Sequence, residues 1–295
     1  MNFINAVHPE NKPYFRAIAT PTKEIRAGRS NMSISCSQCT TASERANLQR
    51  CGKCKSAWYC SKDCQKKHWP FHKIGCKETS ADIPKMMQNF FSNALLNHVL
   101  QIALALAFKL HEKPIIGTPF IARCTVNVQP ADVMYYMQTI MGRFTDEEVK
   151  KGMEGMLQIL TLVPLDPHKD MDYARMELWK LSSRTAAERG NVGVPVGIVD
   201  MQMKGEVHSQ SFGIAITDDA VKRARSGTGF EMESALLPGR KQVPMSEQAC
   251  IDFINMHIRS DKKNQLRLRT HLSKEDIDKM RGASESGEKN NEGVS

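Results

Sequence analysis

Eight side chains able to bind a soft metal ion crowd into 41 consecutive residues, arranged as four pairs: Cys36-x2-Cys39, Cys51-x2-Cys54, Cys60-x3-Cys64 and His72-x3-Cys76. Structural zinc takes four thiolate or imidazole ligands, and a spacing of two or three residues lets one turn present two of them to one ion. Eight ligands therefore make two tetrahedral sites, one of four cysteines and one of three cysteines with a histidine. Both are closed. With no position left for water, the two Zn2+ ions build structure and do not generate hydroxide. His68 competes with His72 for the one imidazole position, but seven residues stand between it and Cys76 instead of three. We take His72 as the ligand and His68 as a surface or packing residue.

Seven of the nine cysteines belong to this cluster; Cys124 and Cys250 lie in apolar segments and read as buried, inert thiols. The odd total, the paired spacings and the lack of a secretory signal favour metal-bound thiolates in a reducing, intracellular setting over a disulfide framework. Nucleus and cytoplasm are not distinguished. The basic, acid-poor stretch 1–35 contains no apolar run of seven residues, and 94–108, an apolar run of 15, is too short to span a bilayer and is interrupted by Asn97, His98 and Gln101. No membrane partner is expected.

The chain has 295 residues, 41% apolar and 25% charged, which fits a folded globular protein with one or two domains. Its net charge of +9 is unevenly spread: residues 1–35 hold five basic and two acidic side chains, 36–77 nine and two, and 78–295 27 and 28. Any pull on acidic partners is thus confined to the first quarter of the chain. The lysines of 36–77, interleaved with Trp58, Tyr59 and Trp69, satisfy the electrostatic condition for nucleic-acid binding. They lack a helix carrying Arg, Asn or Gln at base-reading positions, so such binding would be nonspecific.

The stretch CSQC at 36–39 followed by CGKCKSAWYCSKDCQKKHWPFHKIGC at 51–76 resembles a MYND-type zinc finger at every ligand and at Tyr59, Gln65 and Trp69. The resemblance covers about one seventh of the chain. It implies a cross-braced arrangement, with Cys36, Cys39, Cys60 and Cys64 on zinc 1 and Cys51, Cys54, His72 and Cys76 on zinc 2. It also implies a short hairpin near 58–60, a helical segment through 63–73, and a role in protein interaction, docking short proline-containing peptides. Transferred to this chain, Gln65 would bond an extended backbone and Trp69, four residues on and so on the same helical face, would lie against a proline ring. Gly52 stands where some peptide-binding members have a serine, which removes one side-chain hydrogen bond. RING-type cross-braced fingers are a further scaffold of this kind, but the last two pair spacings fit MYND better.

To hold the finger in place the chain offers a basic flexible leader (1–35), the finger (36–76), a mixed α/β region (85–281) and a disordered polar tail (282–295). The expected fold class is a small two-zinc cross-braced MYND-like finger followed by a mixed α+β domain. Within that domain the pattern predicts one buried helix over 85–111, a β-branched strand over 120–128, and helices over 131–141, over 145–160 from the Thr145/Glu148 capping box, and over 167–189. A hairpin of 194–202 and 207–216 follows, then helices over 217–225, 246–259 and 273–280, with 239–244 as loop. The SET methyltransferases that often accompany MYND fingers would need a Gly-x-Gly, an Asn-His-Ser-type loop and a late cysteine cluster, none of which is found, and nucleotide loops and a G-x-S-x-G elbow are absent too. Two polar groupings, His168 with Asp170 and Asp172, and Asp200 with His208 and Asp218, read as caps and surface residues in the absence of a nucleophile. The function expected is an adaptor or regulator, catalytic residues none; the alternative is an enzyme, for example a transferase, in 85–280 that the finger targets.

Overall fold

A computed structural model describes residues 11–76, 83–132, 153–206, 209–233 and 240–272, with Met134, Met137, Gln138 and Met141 as isolated positions between 133 and 152. The segment expected to be a flexible leader is folded over its described part. Helix α1 (Asn11–Ile18) and helix α2 (Thr22–Ser30) precede strand β1 (Ser33–Ser35), and Phe15 and Ile25 are buried in the main core. The signal that the charge count hid is amphipathic: each short helix carries its apolar side chains on one face. Thr22 Oγ1 donates to the carbonyl of Gln265 at 2.7 Å, which ties α2 to the far end of the chain.

The finger comprises β1, β2 (Ala42–Glu44), a single turn at Arg45–Asn47, β3 (Gln49–Arg50), β4 (Trp58–Tyr59) and helix α3 (Lys62–Gly75). β1 pairs with β2 and β3 with β4, both antiparallel. Helices α4 (Ile83–Phe91) and α5 (Ala94–Ala107) occupy the stretch expected as one helix and meet at 79°. The break is at Asn93, whose side chain turns back to accept from Leu96 N–H at 3.0 Å and so starts α5 afresh. Both helices are lined by buried residues. Among the described residues no single helix is long and apolar enough to cross a membrane.

Five strands form the sheet on which these helices pack, in the order β11 (Arg269–Leu272), β6 (Met153–Leu165), β5 (Phe120–Pro130), β7 (Val196–Met203) and β8 (Ser209–Ala215). Among the described residues of this sheet only the β5–β7 pairing is parallel. The expected hairpin is β7–β8, in register from Val196 opposite Ala215 to Gln202 opposite Ser209. Strand β6 corrects the helix expected over 145–160; the capping box at Thr145 and Glu148 lies outside the described residues. Residues 156–163 are mostly apolar, interrupted by Gln158 and Thr161, and such a short run fits a helix or a strand equally until partners decide. Two partners decide here: β6 is hydrogen-bonded on one side to β5, with an irregularity opposite Thr125 and Val126, and on the other to β11. Gly155 lets them close, because a Cβ there would sit 2.7 Å from Val128 Cγ1 and 2.8 Å from Leu272 Cγ.

The stretch expected as one helix over 167–189 is two, α6 (Pro167–Asp170) and α7 (Tyr173–Glu188), the second started afresh by its Asp172 cap, and α8 (Asp218–Ser226) and α9 (Glu247–Ser260) complete the domain. Between them β9 (Phe230–Glu233) pairs with β10 (Arg240–Val243), so part of the stretch expected as loop is a strand. No residue of that short hairpin signals its pairing locally. Five of the eleven residues of the helix expected over 131–141 lie outside the described residues, and the helix over 273–280 and the tail 282–295 lie wholly outside them.

Candidate metal centre

Each two-residue Cys pair sits on the same tight turn. In the first, Thr40 N–H donates to Cys36 O at 2.9 Å with Thr40 at φ 59°; in the second, Lys55 N–H donates to Cys51 O at 3.0 Å with Lys55 at φ 58°. The residue after the second cysteine takes the left-handed conformation in both, curling the loop so that two thiols face one point. The other two pairs come from α3 and its approach. Ser61 caps that helix by accepting from Cys64 N–H at 3.2 Å, which places Cys60 just before the first turn and Cys64 within it.

These elements gather the eight ligands into two groups, Cys36, Cys39, Cys60 and Cys64, and Cys51, Cys54, His72 and Cys76. The pairs alternate along the chain, so the groups interleave and each zinc-binding group ties an early loop to α3 or its approach. Within each group the ligand atoms lie within 4.8 Å of one another. Cys39 and Cys60 Sγ are 3.6 Å apart, Cys60 and Cys64 Sγ 3.4 Å, Cys51 and Cys76 Sγ 3.8 Å, and Cys54 Sγ is 3.4 Å from His72 Nε2. A tetrahedron with Zn–S bonds of about 2.3 Å has edges of about 3.8 Å, so both cradles have the size a zinc ion requires.

Electrostatics point the same way. Contact with Cys64 and Cys39 pushes the Cys60 thiol up to about 12, and burial with the neighbouring Cys51 pushes Cys76 up to about 11, while the Thr41 hydroxyl draws Cys39 down to about 6. Thiolates this close oppose one another's ionisation, and a divalent cation removes the opposition. The protein core of the finger is correspondingly small: Ile34, Leu48 and Trp58 form one cluster, and Ala57 and Tyr59 pack among the cysteines. Arg45 lies over the Trp58 ring at 5.0 Å and its Nε donates to Gln88 Oε1 at 3.0 Å, fastening the finger to α4.

His68 lies outside both groups. Its Nδ1 is 3.0 Å from the buried Tyr59 hydroxyl, and its ring stacks on that of His72 with centroids 5.5 Å apart, so it orients the imidazole ligand from behind. Trp69 rests against His72 on another side, at 6.0 Å, and remains 45% exposed. It lines, with Lys62, Gln65 and Lys66, an open groove of about 360 Å³ along α3. The two lysines of that groove were read in the sequence only as contributors to charge; their i, i+4 spacing was the available signal. A Cβ at Gly52 would meet nothing within 4 Å, so the departure there is not forced by packing.

The polar groupings of the larger domain resolve differently. Asp172 caps α7, accepting from Arg175 N–H at 2.9 Å, and His168 is exposed on α6, whose cap is Asp166. Asp200 is fully buried on β7. It accepts from Arg175 Nε at 3.0 Å, from Arg175 Nη2 at 2.8 Å and from Ser211 Oγ at 2.6 Å. Arg175, which the sequence did not bring into view, also pairs with Asp172. His208 lies outside the described residues and Asp218 is exposed at the start of α8, so neither is described beside Asp200. Cys124 and Cys250 are buried, and burial pushes each thiol up to about 12, the reverse of an activated nucleophile.

Two sequence families match. One, described as MYND finger, covers residues 35–76; the other, described as a domain of unknown function (DUF8205), covers 79–294. The finger is therefore a zinc-binding module of a class that mediates protein–protein interaction. Among curated proteins, the chain is 37% identical over 89 residues (30% of this chain) to SET domain and MYND-type zinc finger protein 6 of Schizosaccharomyces pombe. It is 49% identical over 41 residues (14% of this chain) to N-lysine methyltransferase SMYD2 of Homo sapiens. To SET domain-containing protein 14 of Caenorhabditis elegans it is 24% identical over 168 residues, 55% of this chain. The matched stretches span 16%, 9% and 33% of these relatives' own lengths. No solved structure matches.

Proposed function

Because the chain belongs to the family of the DUF8205 domain and carries a MYND finger ahead of it, we propose that it acts as an adaptor or regulator whose finger docks short proline-containing peptides of a partner protein. The observation that carries this reading is Trp69. It is a large aromatic ring, 45% exposed, in a groove beside Gln65. Gln65 would bond the peptide backbone while Trp69 contacts the ring, and the two zinc ions would act only by holding α3 against β4. The eight residues Cys36, Cys39, Cys60, Cys64, Cys51, Cys54, His72 and Cys76 are the ligands we assign. A thiolate-rich site of this kind fits an intracellular, reducing compartment, nuclear or cytoplasmic. Binding of a proline-containing peptide library to the zinc-loaded chain, compared with Trp69→Ala and Gln65→Ala variants, tests the reading; peptide signals that persist unchanged in both variants would refute it.

A second reading is an enzyme. It is favoured by the match to SET domain-containing protein 14, whose 168 residues are four times the finger's length and so include part of the larger domain. Calorimetric titration of the full chain with S-adenosylmethionine, the donor a methyltransferase would need, tests this reading, and heat of binding at micromolar donor would favour it over a pure adaptor.

A further inference from the structure

The groove on α3 carries more than a proline contact. Its four lining residues are Lys62, Gln65, Lys66 and Trp69, and both lysines are exposed. Among the described residues neither lysine side chain has an ion-pair or hydrogen-bond partner. The finger contributes only two acidic residues between 36 and 77, Glu44 and Asp63, and neither lines the groove. Two cations one helical turn apart thus border an aromatic platform with nothing to neutralise them. Taking Gln65 and Trp69 as the peptide-contacting pair proposed above, we infer that the finger selects acidic proline-containing segments, with Asp or Glu paired to Lys62 and Lys66.

Helix geometry sets the register. With a rise of about 1.5 Å per residue, Lys66 lies about 4.5 Å and Lys62 about 10.5 Å along the axis from Trp69. An extended peptide advances about 3.3 Å per residue, so carboxylates about one and three positions from the docked proline meet the two ammonium groups. The lysines sit on the groove's rim, where exposed pairs contribute weakly and lose strength with salt. They therefore act on selectivity and on the rate of encounter, while Trp69 supplies the buried contact.

The other exposed apolar side chains of α3, Phe71 at 74% and Ile74 at 82%, project from a different face and take no part. A negatively charged nucleic acid offers the same charge but no proline ring, so it separates the two sources of attraction.

The test uses the full zinc-loaded chain and four probes followed by fluorescence anisotropy at low and at 0.5 M salt: a proline peptide flanked by Asp and Glu, the same peptide with Asn and Gln, the acidic peptide with Pro→Ala, and a single-stranded oligonucleotide. The expected result is roughly tenfold tighter binding of the acidic proline peptide than of its amide counterpart at low salt. That gap should close at high salt and in a Lys62→Gln/Lys66→Gln variant. Equal binding of the acidic and amide peptides would overturn this inference and leave the proline reading standing. Equal binding with and without proline, at retained acidic preference, would overturn the proline reading and keep the acidic one. Oligonucleotide binding tighter than any peptide, or binding of no probe, would overturn both.

Discussion

Replacing Asp200 by Asn tests whether the polar cluster beneath α7 is a structural brace or an active site. The Asp200 side chain is 0% exposed and that of Arg175 22%. Asn keeps the size and one carbonyl oxygen, so the Ser211 hydroxyl retains an acceptor, but the two guanidinium bonds at 3.0 and 2.8 Å lose their anionic partner. Hydrogen bonds to charged groups contribute roughly 1.5–3 kcal/mol each, and stranding one member of a buried pair costs roughly 3–5 kcal/mol. Arg175 retains its pairing with Asp172 and some access to water, which places the loss near the lower end, at about 3 kcal/mol. For a chain of this size that corresponds to a fall in Tm of roughly 6–12 °C. Urea unfolding followed by circular dichroism measures it. A double variant, Asp200→Leu with Arg175→Met, should recover part of the loss, because no charge is then left buried. A change below about 0.5 kcal/mol in Asp200→Asn would refute the brace and return the cluster to the list of candidate sites.

Other outcomes follow from the same geometry. Elemental analysis should find two zinc ions per chain, and Cys60→Ser or Cys54→Ser should each lose one; loss of both from either variant, or of neither, would contradict the ligand grouping. Burial beneath Phe15, 4.8 Å away, pushes His257 down to about 4. A histidine kept neutral in the fold charges first in the unfolded chain, so its stabilising effect is complete above about pH 6.5 and declines as pH falls towards about 4, by about 2 kcal/mol at pH 5. His257→Phe should flatten that part of the pH–stability curve, and an unchanged curve would sink the assignment. At Gly197 a Cβ would sit 2.3 Å from the Phe120 ring, so Gly197→Ala should lower stability by about 1–3 kcal/mol in the same urea assay, whereas Gly52→Ser should be neutral.

Legibility in the sequence followed how local each signal is. The finger was readable ligand by ligand because a metal site is encoded by residue types at fixed spacing, and the resemblance to MYND fingers supplied the interleaving that spacing alone leaves open. The hairpin β7–β8 and the helices α7 to α9 were readable from periodicity and caps such as Asp172 and Ser246. Strand β6 was not. Its run of apolar residues carries no preferred period, and what makes it a strand is the pairing with Phe120–Pro130 and with Arg269–Leu272, over a hundred residues further along. Arg175 was missed for the same reason: nothing near it in sequence announces that Asp200 lies within reach.

The leader shows how far the two parts of the chain depend on each other. Phe15 and Ile25 enter the core of the larger domain, although they precede the finger in sequence, so the chain passes from that domain into the finger and back again. Ala42 packs against the cluster of Ile121, Leu178 and Ile198, which places β2 of the finger on α7 and the sheet. Arg45 holds the opposite flank to Gln88. The loop carrying Cys36 and Cys39 runs between β1 and β2, so the first zinc group stabilises the same hairpin that docks on the domain. The loop of the second group is instead carried between β3 and β4 and faces α3. A ligand lost from zinc 1 should therefore weaken the domain as well as the finger, while one lost from zinc 2 should be felt in α3 and its groove. Comparing Cys39→Ser with Cys54→Ser separates the two: the first should lower the urea midpoint of the whole chain, and the second should leave that midpoint nearly unchanged while abolishing peptide binding. Equal effects on the midpoint would mean that the finger is coupled to the domain as one piece, whichever site is emptied.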